Sequence, residues 1–175
     1  MITYNKTIRI GLIGPGRVGK SAILKQYLKQ QFLEEHCETI AERFSIEIQD
    51  PERLTLEIVD TPGYPAWPTQ PFPVQYATNI HGYILVYAIN SRKSFEQIHT
   101  VLERLNDILG TDTTPKIVIG NKRDLESQRE VGVSDTMSSQ MMNKLQHREV
   151  TARSYEDTVQ IFKMMVKQII NYQKN

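Results

Sequence analysis

An α/β domain layered on a mainly parallel sheet is the fold class this sequence predicts, and three observations predict it. Strand-like segments alternate with helix-like ones along the chain. Two short runs, Tyr83 to Ile89 and Lys116 to Ile119, are almost unbroken in apolar residues, as expected of central strands buried on both faces. The turn Gly14-Pro15-Gly16-Arg17-Val18-Gly19-Lys20-Ser21 joins the first strand-like segment to the first helix-like one. The expected sheet has about six strands, mainly parallel with one antiparallel edge hairpin, and helices on both faces.

Taken in order, Lys6 to Ile13 is rich in β-branched residues and ends at the Gly-rich turn. From Ser21 to Gln30, the residues Ile23, Leu24, Tyr27 and Leu28 recur at helical spacing. Phe44, Ile46 and Ile48 alternate with polar residues, as do Leu54, Leu56 and Ile58, and Asp50-Pro51-Glu52-Arg53 between them is a turn composition, so a hairpin is expected. Pro62, Pro65, Pro68, Pro71 and Pro73 then crowd a stretch that also holds Gly63 and Trp67. Proline fixes φ and lacks the amide donor, so the segment reads as a long extended loop. After the first central strand, Ser94-Phe95-Glu96-Gln97 fits a capping box. Phe95, Ile98, Leu102, Leu105 and Leu109 continue as a buried stripe that stops at Gly110. Met137, Met141 and Leu145 form a second stripe, and Val159, Phe162, Val166 and Ile169 a third in the terminal helix. At helical spacing such methionines and aromatics are core packing rather than a cofactor box.

Composition narrows the function classes. The chain has 175 residues, 39% hydrophobic and 23% charged, within the range of a single globular domain. Twenty-one Lys and Arg against 20 Asp and Glu leave a formal charge of +1 without any like-charge block, so a nucleic-acid partner is not expected. The lone cysteine, Cys37, supports neither an intrachain disulfide nor a thiolate metal site. The longest apolar run, Tyr83 to Ile89, is far short of a membrane span, and neither a signal peptide nor a lipidation motif stands at the ends given. The expectation is a cytoplasmic, monomeric single domain over residues 1–175, with membrane contact only through a lipidated tail missing from this chain.

Three motifs carry chemistry. Gly14 to Ser21 is a full G-x-x-x-x-G-K-S between strand and helix: glycines let backbone amides turn toward phosphate oxygens and the helix start adds partial positive charge. Lys20 reaches the terminal phosphates and Ser21 ligates Mg²⁺. Asn121-Lys122-Arg123-Asp124 follows a buried strand, at the sheet edge where ligands of open α/β folds bind. There the Asp124 carboxylate accepts from guanine's N1–H and exocyclic amine, a donor pair adenine lacks. Asp60-Thr61-Pro62-Gly63 completes a D-x-x-G, with a carboxylate for Mg²⁺ and a glycine amide able to approach a γ-phosphate. By itself that tetrapeptide is also a good turn.

In this order the motifs resemble the Ras-like small GTPases, from about Thr7 to Ile170, and the run Tyr87 to Glu96 resembles the Ras branch in particular. The resemblance implies a P-loop G domain working as a Mg²⁺-dependent GTP/GDP switch. Its nucleotide contacts would be Gly14, Gly16, Arg17, Val18, Gly19, Lys20, Ser21, Ala22, Phe32, Thr39, Gly63, Asn121, Lys122, Asp124, Thr151, Ala152 and Arg153. Phe32 would pack edge-on against the guanine, and Thr151-Ala152-Arg153 corresponds to the short S-A-K motif. Ser21, Thr39 and Asp60 would hold the metal, while Lys20, Thr39 and Gly63 would serve hydrolysis. Implied partners are effector, exchange-factor and activating proteins.

Departures from the family pattern shape the expectations. Tyr64 stands where a glutamine normally orients the attacking water, so intrinsic hydrolysis should be slow. The prolines forbid the usual switch II helix. Arg17 replaces a loop glycine while Gly16 is retained, and His36 stands where an aromatic usually covers the phosphates, read here as a solvated loop histidine. An alternative is a pseudo-GTPase interaction module that uses loop 62–73 as a partner surface, with Trp67 either presented to a partner or folded back on the domain. A small-molecule P-loop kinase fits less well, since it has no need of N-K-x-D.

Overall fold

The computed structural model describes residues 6–32, 41–49, 53–63, 79–138 and 144–174. Its elements in chain order are β1 (Lys6–Ile13), α1 (Lys20–Lys29), β2 (Glu42–Gln49), β3 (Arg53–Asp60), β4 (Gly82–Ala88) and α2 (Arg92–Leu109). There follow β5 (Lys116–Asn121), a 3₁₀ segment (Arg123–Gln128), α3 (Val133–Ser138), β6 (Gln146–Glu149) and α4 (Tyr155–Lys174). The strands form one six-stranded sheet ordered β2-β3-β1-β4-β5-β6. β2 runs antiparallel to β3 and every other pairing is parallel, the arrangement expected from the sequence.

Burial follows strand position. β4 and β5, flanked on both sides, are buried at every residue, whereas the edge strand β2 alternates exposed and half-buried residues. The sheet separates two apolar clusters. One joins Ile8, Ile10, Leu56 and Ile117 to Ile23 and Leu24 of α1 and to Phe162, Met165 and Ile169 of α4. The other joins Ile13, Leu85 and Val118 to Phe95, Ile98, Leu102 and Leu105 of α2. Helices therefore cover both faces. Because the connections are parallel crossovers, the carboxyl ends of β1, β3, β5 and β6 share one edge, where an open α/β sheet binds its ligand.

Local details differ from the sequence reading. The residue capping α2 is Ser91, whose side chain accepts from the Ser94 amide at 3.2 Å, so the capping serine stands three residues before the one expected. Ser94 is instead buried in the first turn, donating through Oγ to the Ser91 carbonyl at 2.8 Å and accepting from the Ala88 amide at 3.0 Å. Gly110 does end the helix, in the left-handed conformation. Leu145 belongs to no helical stripe: it precedes β6, the sixth strand, whose place no apolar pattern marked because its residues, Gln146 to Glu149, are polar. In α4 the buried stripe runs through Ile161, Phe162, Met165, Val166 and Ile169, leaving Val159 half-buried. The expected turn at 50–52 and Met141 lie outside the described residues. Among the described residues, no helix is long and apolar enough to cross a membrane.

Candidate functional site

The phosphate-type loop spans the gap between β1 and α1. No acidic residue and no side-chain cap occupies the start of α1, so its first amides and the positive end of its dipole are left to an anion. Lys20, only 5% exposed, folds back so that Nζ donates to the carbonyls of Gly14 at 2.9 Å and Pro15 at 2.8 Å. Arg17 lies exposed on the crest with φ of 63°, and Ala22 packs half-buried on the core. Gly19 has φ of 94°, and a Cβ there would stand 2.3 Å from Asn121 Nδ2, so both backbone and space require glycine.

Asp60 ends β3 beside this loop. Its carboxylate is 2% exposed and accepts from the Ser21 hydroxyl, while Oδ1 has no hydrogen-bond partner among the described residues. Burial pushes the Asp60 carboxyl above its usual range, against the Ser21 hydrogen bond and the nearby Lys20 charge. Burial likewise brings Lys20 down to about 8, opposed by Asp60. Both groups thus lean toward neutrality, because desolvation outweighs their mutual attraction. A site of this kind fits a cation at the carboxylate together with an anion at the ammonium, and the orphaned Oδ1 is where a cation's ligand sphere would claim an oxygen. Thr61 Oγ1 donates to the Leu12 carbonyl at 2.7 Å and ties the end of β3 to β1. Gly63 lies against the loop so closely that a Cβ would fall 2.3 Å from Gly16 Cα.

The second half of the site is built from the ends of β5 and β6. Asn121, 1% exposed, is the last residue of β5, inside the strand it was expected to follow. Its Nδ2 donates to the Val18 carbonyl at 2.8 Å and its Oδ1 accepts from the Ala152 amide at 3.0 Å. One side chain therefore joins the Gly14–Gly19 loop, the β5 edge and the Thr151–Arg153 loop. Lys122 adopts φ of 68°, and burial lowers its ammonium pKa against the pull of Asp124. Asp124 accepts from Thr151 Oγ1 at 2.6 Å and from Arg153 Nε at 3.2 Å, and the Arg153 guanidinium lies 4.6 Å over the Phe32 ring. Thus Phe32, Asp124, Thr151 and Arg153 meet at one place. Thr39, His36, Tyr64 and Trp67 lie outside the described residues.

Two supports escaped the sequence reading. Asp157, 8% exposed, accepts from the Thr151 amide at 3.0 Å and from Arg123 Nη2 at 2.9 Å, fixing the loops that carry Asp124 and Thr151. The spacing Ser154-x-x-Asp157 before an apolar run was the available signal, and Ser154 Oγ does accept from the Asp157 amide at 3.2 Å. Gln26, buried in α1, donates from Nε2 to the Arg153 carbonyl at 3.2 Å, a contact between residues too distant in sequence for any local pattern to reveal.

Comparison with known proteins adds to this geometry. A family model described as the Ras family matches residues 9–171. The GTP-binding protein rhb1 of Schizosaccharomyces pombe is 33% identical over 94% of this chain and 88% of its own length. The GTP-binding protein Rheb homolog of Drosophila melanogaster is 32% identical over 97% of this chain and 93% of its own. The Ras-related protein R-Ras of Homo sapiens is 29% identical over 97% of this chain and 78% of its own.

Proposed function

This chain belongs to the Ras family of small GTPases, and on that premise we propose a guanine-nucleotide switch that takes GTP and GDP with Mg²⁺, hydrolyses GTP slowly and signals through effector proteins. It acts as one G domain over residues 1–175, a cytoplasmic monomer whose switch segments also meet exchange factors and activating proteins. The observation that carries the reading is Asn121, which clamps the phosphate-type loop to the loop of Ala152 through its 2.8 and 3.0 Å hydrogen bonds. An elongated ligand with a polyanion at one end and a purine at the other spans the two halves so joined.

The chain's own residues define the work. Lys20 offsets charge on the terminal phosphates, and the unopposed start of α1 donates amides to them. Ser21, Thr39 and Asp60 would hold Mg²⁺, which supplies neutralisation of phosphate oxygens when bound. Asp124 reads the two-donor edge of guanine and Phe32 packs against it, while the Ala152 amide, held by Asn121 Oδ1, fixes the loop beside them. Gly63, already against Gly16, brings the D-x-x-G backbone to the γ-phosphate end. Chemistry is then positioning and electrostatics for attack by water. Tyr64 lacks the amide that would orient that water, the basis for slow turnover and also for the second reading, a nucleotide-holding interaction module. Nucleotide analysis of the purified protein followed by phosphate release in single turnover separates them: slow release supports the switch, and retained GTP without release supports the module. Absence of any guanine nucleotide binding overturns the switch and leaves only a module that works without nucleotide.

A further inference from the structure

We propose that Arg123, the residue the N-K-x-D motif leaves open, is a positioning residue for base recognition: it holds Asp124 in register with the Thr151–Arg153 loop and so sets how long a guanine nucleotide stays bound. This rests on the assignment of Asp124 to the guanine edge given above. Arg123 Nη2 donates to Asp157 Oδ2 at 2.9 Å, the same oxygen accepts from the Thr151 amide at 3.0 Å, and Thr151 Oγ1 donates to Asp124 Oδ1 at 2.6 Å. Asp124 follows Arg123 in the chain, so these four residues close a ring that starts and ends on one turn.

The turn needs such a hold. Lys122 stands at φ of 68°, a left-handed conformation that a residue with a Cβ keeps only under constraint from its surroundings. Past it, the Arg123 amide donates to the Val150 carbonyl at 2.9 Å and Nη1 donates to the Glu149 carbonyl at 3.2 Å, both at the end of β6. Nη2 reaches across to Asp157 in the first turn of α4, a helix seated in the core through Ile161, Phe162 and Met165. The anchor is therefore rigid, and a carboxylate in a first turn is favoured by the positive end of the helix dipole. With the Arg123 side chain 47% exposed and that of Asp157 11% exposed, the pair adds little to global stability. What it supplies is geometry: one planar fork spans β6 and α4 and fixes where the turn sits between them. Guanine's N1–H and exocyclic amine each need an acceptor at the right place, so a turn that drifts loses the paired contact before it loses the fold.

The test measures release of a fluorescent GDP analogue, and competition by GDP and by inosine diphosphate, whose base lacks the exocyclic amine. Arg123→Ala should release the analogue about two- to tenfold faster, the range for removing one partly exposed member of a coupled network. Its preference for GDP over inosine diphosphate should narrow as well, which a general loss of stability would not bring about. Asp157→Asn keeps an oxygen for the Thr151 amide while losing the charge that holds Arg123, so it should shift both readouts the same way. The double variant should go little further than the more affected single one. Unchanged release in Arg123→Ala, faster release with an unchanged base preference, or additive effects in the double variant would each overturn the positioning role and leave the nucleotide site standing. If the wild-type chain binds no guanine nucleotide, or does not prefer GDP to inosine diphosphate, the assignment of Asp124 falls and the role of Arg123 with it. Should Arg123→Ala not fold, Asp157→Asn decides on the same two readouts.

Discussion

Replacing Asn121 with alanine tests how the two halves of the site are joined. The side chain is 1% exposed and its removal strips partners from the Val18 carbonyl and the Ala152 amide, in residues themselves 1% and 4% exposed. Each buried polar group left unsatisfied costs about 1–3 kcal/mol, so the loss should be about 2–6 kcal/mol. Against a domain stability of about 5–15 kcal/mol that is a large share. With a urea m-value of about 2 kcal/mol/M, the unfolding midpoint should fall by about 1–3 M. The decisive measurement pairs this titration with the dissociation rate of bound GDP. Freed from each other, the phosphate loop and the Ala152 loop no longer hold one ligand in register, and release should accelerate. A stability loss under about 1 kcal/mol would refute the accounting of the two hydrogen bonds. Full destabilisation with an unchanged release rate would refute the claim that Asn121 couples the loops.

Other perturbations probe single groups. Asp124→Asn should move base preference from guanine toward xanthine, since an amide donates to the added carbonyl. Losing charge-assisted hydrogen bonds of about 1.5–3 kcal/mol, guanine affinity should drop roughly 10- to 100-fold in competition titrations, and an intact affinity would misplace the site. Tyr64→Gln should raise single-turnover GTP hydrolysis about tenfold or more, as groups that position a proton transfer contribute about 10²–10⁴. An unchanged rate would assign the limit to the proline-rich loop. Lys20, held near 8 by burial, gives a pH signature. In the empty protein its lowered pKa means that the cost of burying the ammonium is full below about pH 8 and vanishes as pH rises toward the unfolded value, so the apo fold gains stability across that window. Phosphates favour the charged form, so GDP affinity should decline above pH 8 by up to about tenfold per unit, and Lys20→Met should abolish the trend.

The order of strands and helices was legible because burial on one or both faces leaves a periodic mark, plain in Tyr83 to Ile89 and in the stripe from Phe95 to Leu109. What escaped lacked that mark. β6 is short and polar, held by pairing to β5 and not by apolar alternation. Ser91 and Ser94 both suit a cap, and only the course of the chain leaving β4 decides between them. Among the residues proposed for the site, spacing singled out the loop glycines, Lys20, Asp60 and Asp124, since each chemistry demands a residue type at a fixed place. Spacing did not expose Asn121 as a clamp, Gln26 as an anchor or Arg153 on Phe32, because those contacts join residues brought together only by folding.

The seat of Lys20 on the Gly14 and Pro15 carbonyls has a further consequence. A long flexible amine ordinarily surrenders rotamer freedom worth about 1.5–2 kcal/mol when it grasps something. Here that freedom is lost as the polypeptide collapses, before any guest arrives. The incoming polyanion meets an amine already in place, so none of that loss is charged to its capture.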